Sequence, residues 1–279
     1  MADGDSPSEF KLYHYTPSKA APVIFILLFL AITTQHTWQM IKHKTWFLTA
    51  FIIGGIFEIV GYIARAISAR QAPDYTLMPY IVQSLLLLLG PSFFAASIYM
   101  ILGRLIVLVG GQKHSIIRPK WLTKIFVVGD VLSFFVQSGG GGMLAKASTP
   151  SSASLANNIV LGGLILQVLF FGLFVLVASI FHARMRGDLT LCATASSLPW
   201  SRYLWVLYVG SLLIVVRCVF RIAEYAGGQE GVLMGTETYL YVFDAALMVL
   251  VMVVFSVQHP RMIIGREKVA GYRMDQLYS

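Results

Sequence analysis

The stretch RCVFRIAEYAGGQEG, Arg217 to Gly231, follows directly on the apolar run LYVGSLLIVV. Two arginines and a glutamate thus emerge from residues that otherwise favour burial. Arg217, Arg221 and Glu224 are four and three apart, which is one face of a helix. The same kinds of residue recur elsewhere at the same spacing. Gly54, Glu58, Gly61, Arg65 and Ser68 form one stripe, Asp130 and Gln137 a second, and Glu237, Tyr241 and Asp244 a third. Gln83 and Gln167 add amide groups. Carboxylates can hold a cationic headgroup or an arginine, and guanidinium groups can clamp a carboxylate or phosphate. The chemistry on offer is therefore ion pairing and headgroup binding.

Catalysis has no comparable footing. No G-x-S-x-G or Walker A pattern occurs. The histidines at 14, 36, 43, 114, 182 and 259 are read as loop or membrane-edge residues without ligand spacing, so no metal or other cofactor is expected. The two cysteines, Cys192 and Cys218, give no disulfide framework.

The elements that must carry these groups are set by composition. The 279 residues are 57% hydrophobic and 12% charged, with a mean hydropathy of +0.73. A soluble domain carries about 25% charged residues. Seven runs are near the roughly 20 apolar residues that a spanning helix needs: about 20–40, 46–68, 78–103, 121–143, 157–181, 200–222 and 237–257. Barrel strands would be shorter and alternating. The expectation is an all-α integral membrane protein, a seven-transmembrane helix bundle over 20–258. A polar segment, 1–19, precedes it and a short tail, 259–279, follows. No cleavable signal peptide and no large soluble domain are expected.

Lysine and arginine fix the orientation. Lys42, Lys44, Arg104, Lys113, Arg118, Lys120, Arg184, Arg186, Arg202, Arg261, Arg266, Lys268 and Arg273 fall on one side. Only Lys11, Lys19, Arg70 and Lys146 fall on the other. The N-terminus is therefore expected to be extracellular and the C-terminus cytosolic. The net charge of +8 then reflects topology and attraction to anionic lipid, with no nucleic-acid partner implied. Trp38, Trp46, Trp121 and Trp200 read as an interfacial belt.

Within this frame Glu58 lies about 18 Å up helix 2 (46–68), near mid-depth, and Arg65 about 28 Å up. Asp130 is also near mid-depth, and Arg217, Arg221, Glu224, Glu237, Tyr241 and Asp244 lie toward the outer end. Charged residues inside a membrane usually pair or line a pathway. Arg217 and Arg221 are expected to partner acids on helices 2, 4 and 7 in a polar cluster opening outward. Such a cluster can be an interhelical structural network, a ligand-contacting one, or both. QSGGGG, Gln137 to Gly142, is read as ending helix 4. Gly90 and Pro91 inside helix 3 mark a kink, either static or a hinge. Small-residue stripes on helices 2 and 5 suit packing within the bundle or between copies, so the oligomeric state stays open.

Several ordered motifs resemble a known family. YTPS precedes helix 1, EIVGYIAR lies on helix 2 and PSFFAASIYMILGR on helix 3. DVLSFFVQSGGGG lies on helix 4 and RCVFRIAEYAGGQEGVLMGTETYLYVFD spans helices 6 and 7. Together they resemble the fungal lipid-translocating exporter family, the resistance-to-aminocholesterol-like proteins, from about Tyr15 to His259. The resemblance implies a seven-helix membrane protein of the fungal plasma membrane. Its members are associated with export or flipping of sphingoid long-chain bases, resistance to toxic amphiphiles and, in one branch, porphyrin uptake. Glu58, Gly61, Tyr62, Arg65, Gln83, Pro91, Tyr99, Arg104, Asp130, Gln137, Arg217, Arg221, Glu224, Glu237, Tyr241 and Asp244 match the family's marked positions. The absent N-x-S/T sequon and the short tail bear on trafficking and regulation rather than on fold.

The leading functional expectation is a non-enzymatic translocator of amphiphilic lipids, sphingoid bases foremost, conferring lipid or drug resistance. Its partners would be membrane lipids or amphiphilic small molecules. The alternative is a seven-helix lipid sensor or receptor that regulates lipid asymmetry without moving lipid. Against common receptors, helix 3 ends in YMILGR without D-R-Y, helix 7 lacks N-P-x-x-Y, and no lysine on helix 7 could hold retinal.

Overall fold

The computed structural model describes residues 17–144, 146, 149–188, 200–227 and 232–259. The described residues are helical, with no strand among them. Seven helices are long and apolar enough to cross a membrane, and the chain is an integral membrane protein. They are α1 (Ala20–His43), α2 (Thr49–Arg70, entered through a 3-10 turn at Trp46–Leu48), α3 (Leu77–Leu108), α4 (Pro119–Leu144), α5 (Pro150–Gly187), α6 (Trp200–Ala226) and α7 (Glu237–Val257).

Neighbours in sequence pack as neighbours in space from α1 to α7, and α1 against α7 closes the ring. α3 also touches α6, so it lies nearest the middle, and it has the largest buried share of the seven while α1 has the smallest. Outward faces carry bare apolar side chains such as Leu27, Phe135, Leu169 and Leu212. In lipid these gain nothing by burial, so helix contact rests on close packing of small residues. A Cβ on Gly54 would come within 2.8 Å of the Gly90 carbonyl oxygen, and one on Gly163 within 2.6 Å of the Gln137 side chain. α2 and α3, and α4 and α5, therefore approach backbone to backbone.

α5 is longer than the expected run 157–181, and α4 runs helically through all four glycines of QSGGGG and stops at Leu144. Gly140 explains part of this: a Cβ there would meet the Val160 amide nitrogen at 2.9 Å. Gly139, Gly141 and Gly142 face open space. α5 is 38 residues long, about 57 Å at the helical rise, well beyond the bilayer's roughly 30 Å hydrocarbon core. Its start is fixed by Pro150 at the first turn and a reciprocal cap between Thr149 and Ser152.

α7 is not a uniform α-helix. Tyr241–Ala245 forms a π turn between two α segments. Such insertions are rare and cluster at functional positions. This one contains Asp244.

Candidate functional site

Among the described residues, six of the buried or half-buried charges form three ion pairs around α2, α6 and α7. At one end, Arg65 on α2 donates from Nη2 to Glu237 Oε1 at 2.8 Å and from Nε to the Tyr241 hydroxyl oxygen at 2.9 Å. Tyr241 passes its own hydrogen to Glu237 Oε1 at 3.2 Å, which closes a triangle. The Ser18 amide donates to the other Glu237 oxygen at 2.7 Å, tying the segment before α1 to the start of α7.

Deeper in the bundle, Arg217 on α6 pairs with Asp244 on α7, its Nε on Oδ1. Both are buried, Arg217 to 1% exposure. A second bond runs from Arg217 Nη2 to the Leu87 carbonyl at 2.7 Å. That carbonyl lies four residues before Pro91, which has no N–H to give it. Proline thus frees a backbone acceptor inside α3, and the arginine of α6 takes it.

The third pair is local. Arg221 donates to Glu224 at 2.8 Å, one turn along α6. The expectation that Arg221 reaches acids on other helices is corrected. Helices 2 and 4 supply no partner to either α6 arginine by hydrogen bond or ion pair among the described residues.

Glu58 on α2 is 2% exposed, and its Oε1 has no hydrogen-bond partner. It lies within electrostatic reach of Asp244 and Arg217. Gly90 makes the room: a Cβ there would stand 2.6 Å from Glu58 Oε1. Gly90 and Pro91, hinge candidates in the sequence, thus have packing and hydrogen-bonding roles, one admitting Glu58 and the other releasing Leu87.

Asp130 belongs to a separate polar group among α3, α4 and α5. It accepts from the Tyr99 hydroxyl at 3.0 Å, and its Oδ1 has no partner. Phe126, Phe171 and Phe174 crowd the Tyr99 ring. One turn pair further along α4, Gln137 donates to Gln167 at 3.0 Å, which donates to Ser92 at 3.3 Å. Gln83 is buried on α3 and engaged. Cys218 on α6 lies within electrostatic reach of both Asp130 and Asp244, between the two groups.

The stripe Glu237, Tyr241 and Asp244 does not serve one partner. Glu237 and Tyr241 serve Arg65, while Asp244, in the π turn, serves Arg217. Sequence reasoning also passed over Tyr62 as a member of the cluster. It is wholly buried and stacks between Phe29 and the Phe25–Tyr241 pair. Its position, four residues after Glu58, was the available signal. Two further placements differ from expectation. Trp200 is buried edge-on against His182 at 5.8 Å rather than facing lipid, whereas Trp205 is 58% exposed. His36 and His182 lie inside helices and are buried, His36 against the Met252 carbonyl at 2.9 Å.

Three arginines, Arg65, Arg217 and Arg221, therefore meet five carboxyls, Glu58, Asp130, Glu224, Glu237 and Asp244. Glu58 and Asp130 are left without a cation. An interior of this kind can satisfy itself in part and still accept a positively charged group.

Comparison with known proteins bears on the same residues. The chain is 36% identical to Protoporphyrin uptake protein 1 of Saccharomyces cerevisiae, across 90% of this chain and 92% of that protein. It is 30% identical to the probable lipid transporter atnI of Emericella nidulans, across 91% and 69%. It is 27% identical to the sphingoid long-chain base transporter RSB1 of Saccharomyces cerevisiae, across 88% and 72%. No solved structure matches. Residues 51–267 match the RTA1 like protein family, which takes in Glu58 through Asp244, and the chain belongs to that family.

Proposed function

We propose that this protein translocates amphiphilic lipids with a cationic headgroup between leaflets of the fungal plasma membrane, sphingoid long-chain bases foremost. The observation that carries this reading is Glu58: a buried carboxylate with an unpaired oxygen beside the Arg217–Asp244 pair. A primary ammonium offers three donors and one positive charge, which Glu58 lacks. The hydrocarbon chain would stay in lipid, against the apolar outer faces. The relatives named as a lipid transporter and a sphingoid long-chain base transporter support the same cargo class. In this reading the N-terminus is extracellular, because the lysine and arginine excess marks the cytosolic side. The pairs at Arg65 and Arg217 then hold the site open toward the outer leaflet.

The test is a fluorescent sphingoid base followed between leaflets of liposomes carrying the purified protein. Wild type should accelerate crossing, and Asp244→Asn and Arg217→Ala should abolish the acceleration at equal reconstitution. Undiminished crossing in both variants would refute the site.

The sensor reading has one observation in its favour. The closed triangle of Arg65, Tyr241 and Glu237 also holds Ser18, so a lipid arriving there could be reported through the N-terminal segment without passage. Binding without protein-dependent crossing would select it.

A further inference from the structure

A crevice of about 370 Å³ opens between the C-terminal end of α5 and the start of α6, lined by Ser179, His182, Ala183, Arg186 and Tyr208. It shares no residue with the ion-pair network, and Tyr208 precedes Arg217 by roughly 13 Å along α6. Ser179, His182 and Arg186 are three and four apart, so α5 presents them on one face.

His182 is 9% exposed, and its Nδ1 lies 3.2 Å from the Tyr208 hydroxyl. Tyr208 gives its one hydrogen to the Ala178 carbonyl at 3.2 Å. With that hydrogen on Ala178, the shared bond is assigned its proton from His182 Nδ1, the tautomer in which Nε2 is an acceptor. That Nε2 is buried and has no partner. Buried polar atoms are nearly always satisfied, so an exception calls for a reason. Arg186 is exposed and makes no ion pair among the described residues. Asp188, two residues further along the chain, is 3.2 Å from His114, and residues 189–199 include no Asp or Glu.

The surroundings identify the phase. Trp205 is 58% exposed and lies edge-on to Tyr208 at 5.9 Å. A bare tryptophan beside arginines at a helix end is the signature of the headgroup layer. The volume is an order of magnitude above the roughly 30 Å³ of one liquid water, enough for a phosphate ester.

We propose that this crevice binds the headgroup of an anionic phospholipid that carries a free hydroxyl, with Arg186 on the phosphate and His182 Nε2 accepting the hydroxyl hydrogen. The lipid is a bound structural or regulatory partner at a second site, independent of the cargo reading.

The full chain, purified in detergent, is titrated with dioctanoyl phosphatidylglycerol, with dioctanoyl phosphatidylmethanol and with inorganic phosphate. Retained lipid is counted by native mass spectrometry. Phosphatidylmethanol keeps the anionic phosphodiester and lacks the hydroxyls. Wild type should retain one phosphatidylglycerol in preference to phosphatidylmethanol. Arg186→Gln should weaken both lipids about tenfold, as loss of a charged hydrogen bond does. His182→Ala should erase the preference between them, and Arg118→Gln should change neither. No retained lipid, equal loss in Arg186→Gln and Arg118→Gln, or displacement by inorganic phosphate at matching concentration would overturn the proposal. Arg186 is exposed, so its variant carries the test even if His182→Ala fails to fold.

Discussion

At the scale of single residues, two buried tyrosines in one aromatic stack are opposites. Tyr62 and Tyr241 have ring centroids 6.1 Å apart, and both lie near Arg65. The Tyr241 hydroxyl accepts from Arg65 and donates to Glu237. The Tyr62 hydroxyl has no partner. A buried group whose bonds are made costs about 1–3 kcal/mol when its partners are orphaned, whereas removing an unpaired group costs little. Tyr241→Phe should therefore lower stability by about that amount, leaving Arg65 Nε bare. Tyr62→Phe should be neutral or slightly stabilising. Thermal unfolding of the two variants in the same detergent reads the contrast directly. A larger loss in Tyr62→Phe would mean that its hydroxyl is bonded by something other than the described residues.

At the scale of elements, α3 and α6 are joined through a defect. Pro91 strips the Leu87 carbonyl of its helical donor, and Arg217 replaces it while also holding Asp244 of α7. Pro91 and Arg217 are thus two halves of one device, and a double-mutant cycle isolates it. Arg217→Leu should cost about 3–5 kcal/mol, since it leaves a buried carboxylate alone. Adding Pro91→Ala to that variant supplies an N–H to Leu87 and should recover about 1–3 kcal/mol. In the wild-type background Pro91→Ala should recover less, because the carbonyl is already occupied. Equal gains in both backgrounds would show that the two residues are uncoupled. Legibility divides at this scale. The seven helices could be read because lipid forces long apolar runs, and the buried charges because they are conspicuous in such runs, but Asp130, expected in one cluster with the arginines, lies in a separate group. The pairing could not be read, because it depends on azimuth. The π turn redirects Asp244 away from Glu237 and Tyr241, and the bond to Leu87 runs to backbone, which no pattern of side chains records. The glycines after Gln137 stay helical despite their low helix propensity, and Gly140 packs on α5.

At the scale of the whole molecule, the interior carries more carboxyls than arginines among the described residues. A membrane protein whose buried charges were purely structural would gain by matching them, since an unpaired charge in that setting costs several kcal/mol. Glu58 and Asp130 stand without cations in two separate polar groups, with Cys218 between them. Under the proposed function, that excess would favour cargo by charge: an amine-bearing amphiphile would complete the network, and a neutral one of the same length would not. The Glu58→Gln variant keeps the size of the side chain, exchanges one acceptor oxygen for an amide donor and removes its charge. It should slow crossing of a fluorescent sphingoid base by about tenfold, the worth of one charge-assisted contact of about 1.4 kcal/mol. Crossing of the N-acetylated analogue, slower in wild type, should be unaffected. The ratio of the two rates within one liposome preparation is the measurement, so differences in reconstitution cancel. If Glu58→Gln slows both analogues alike, the carboxyl group supports the bundle rather than the cargo.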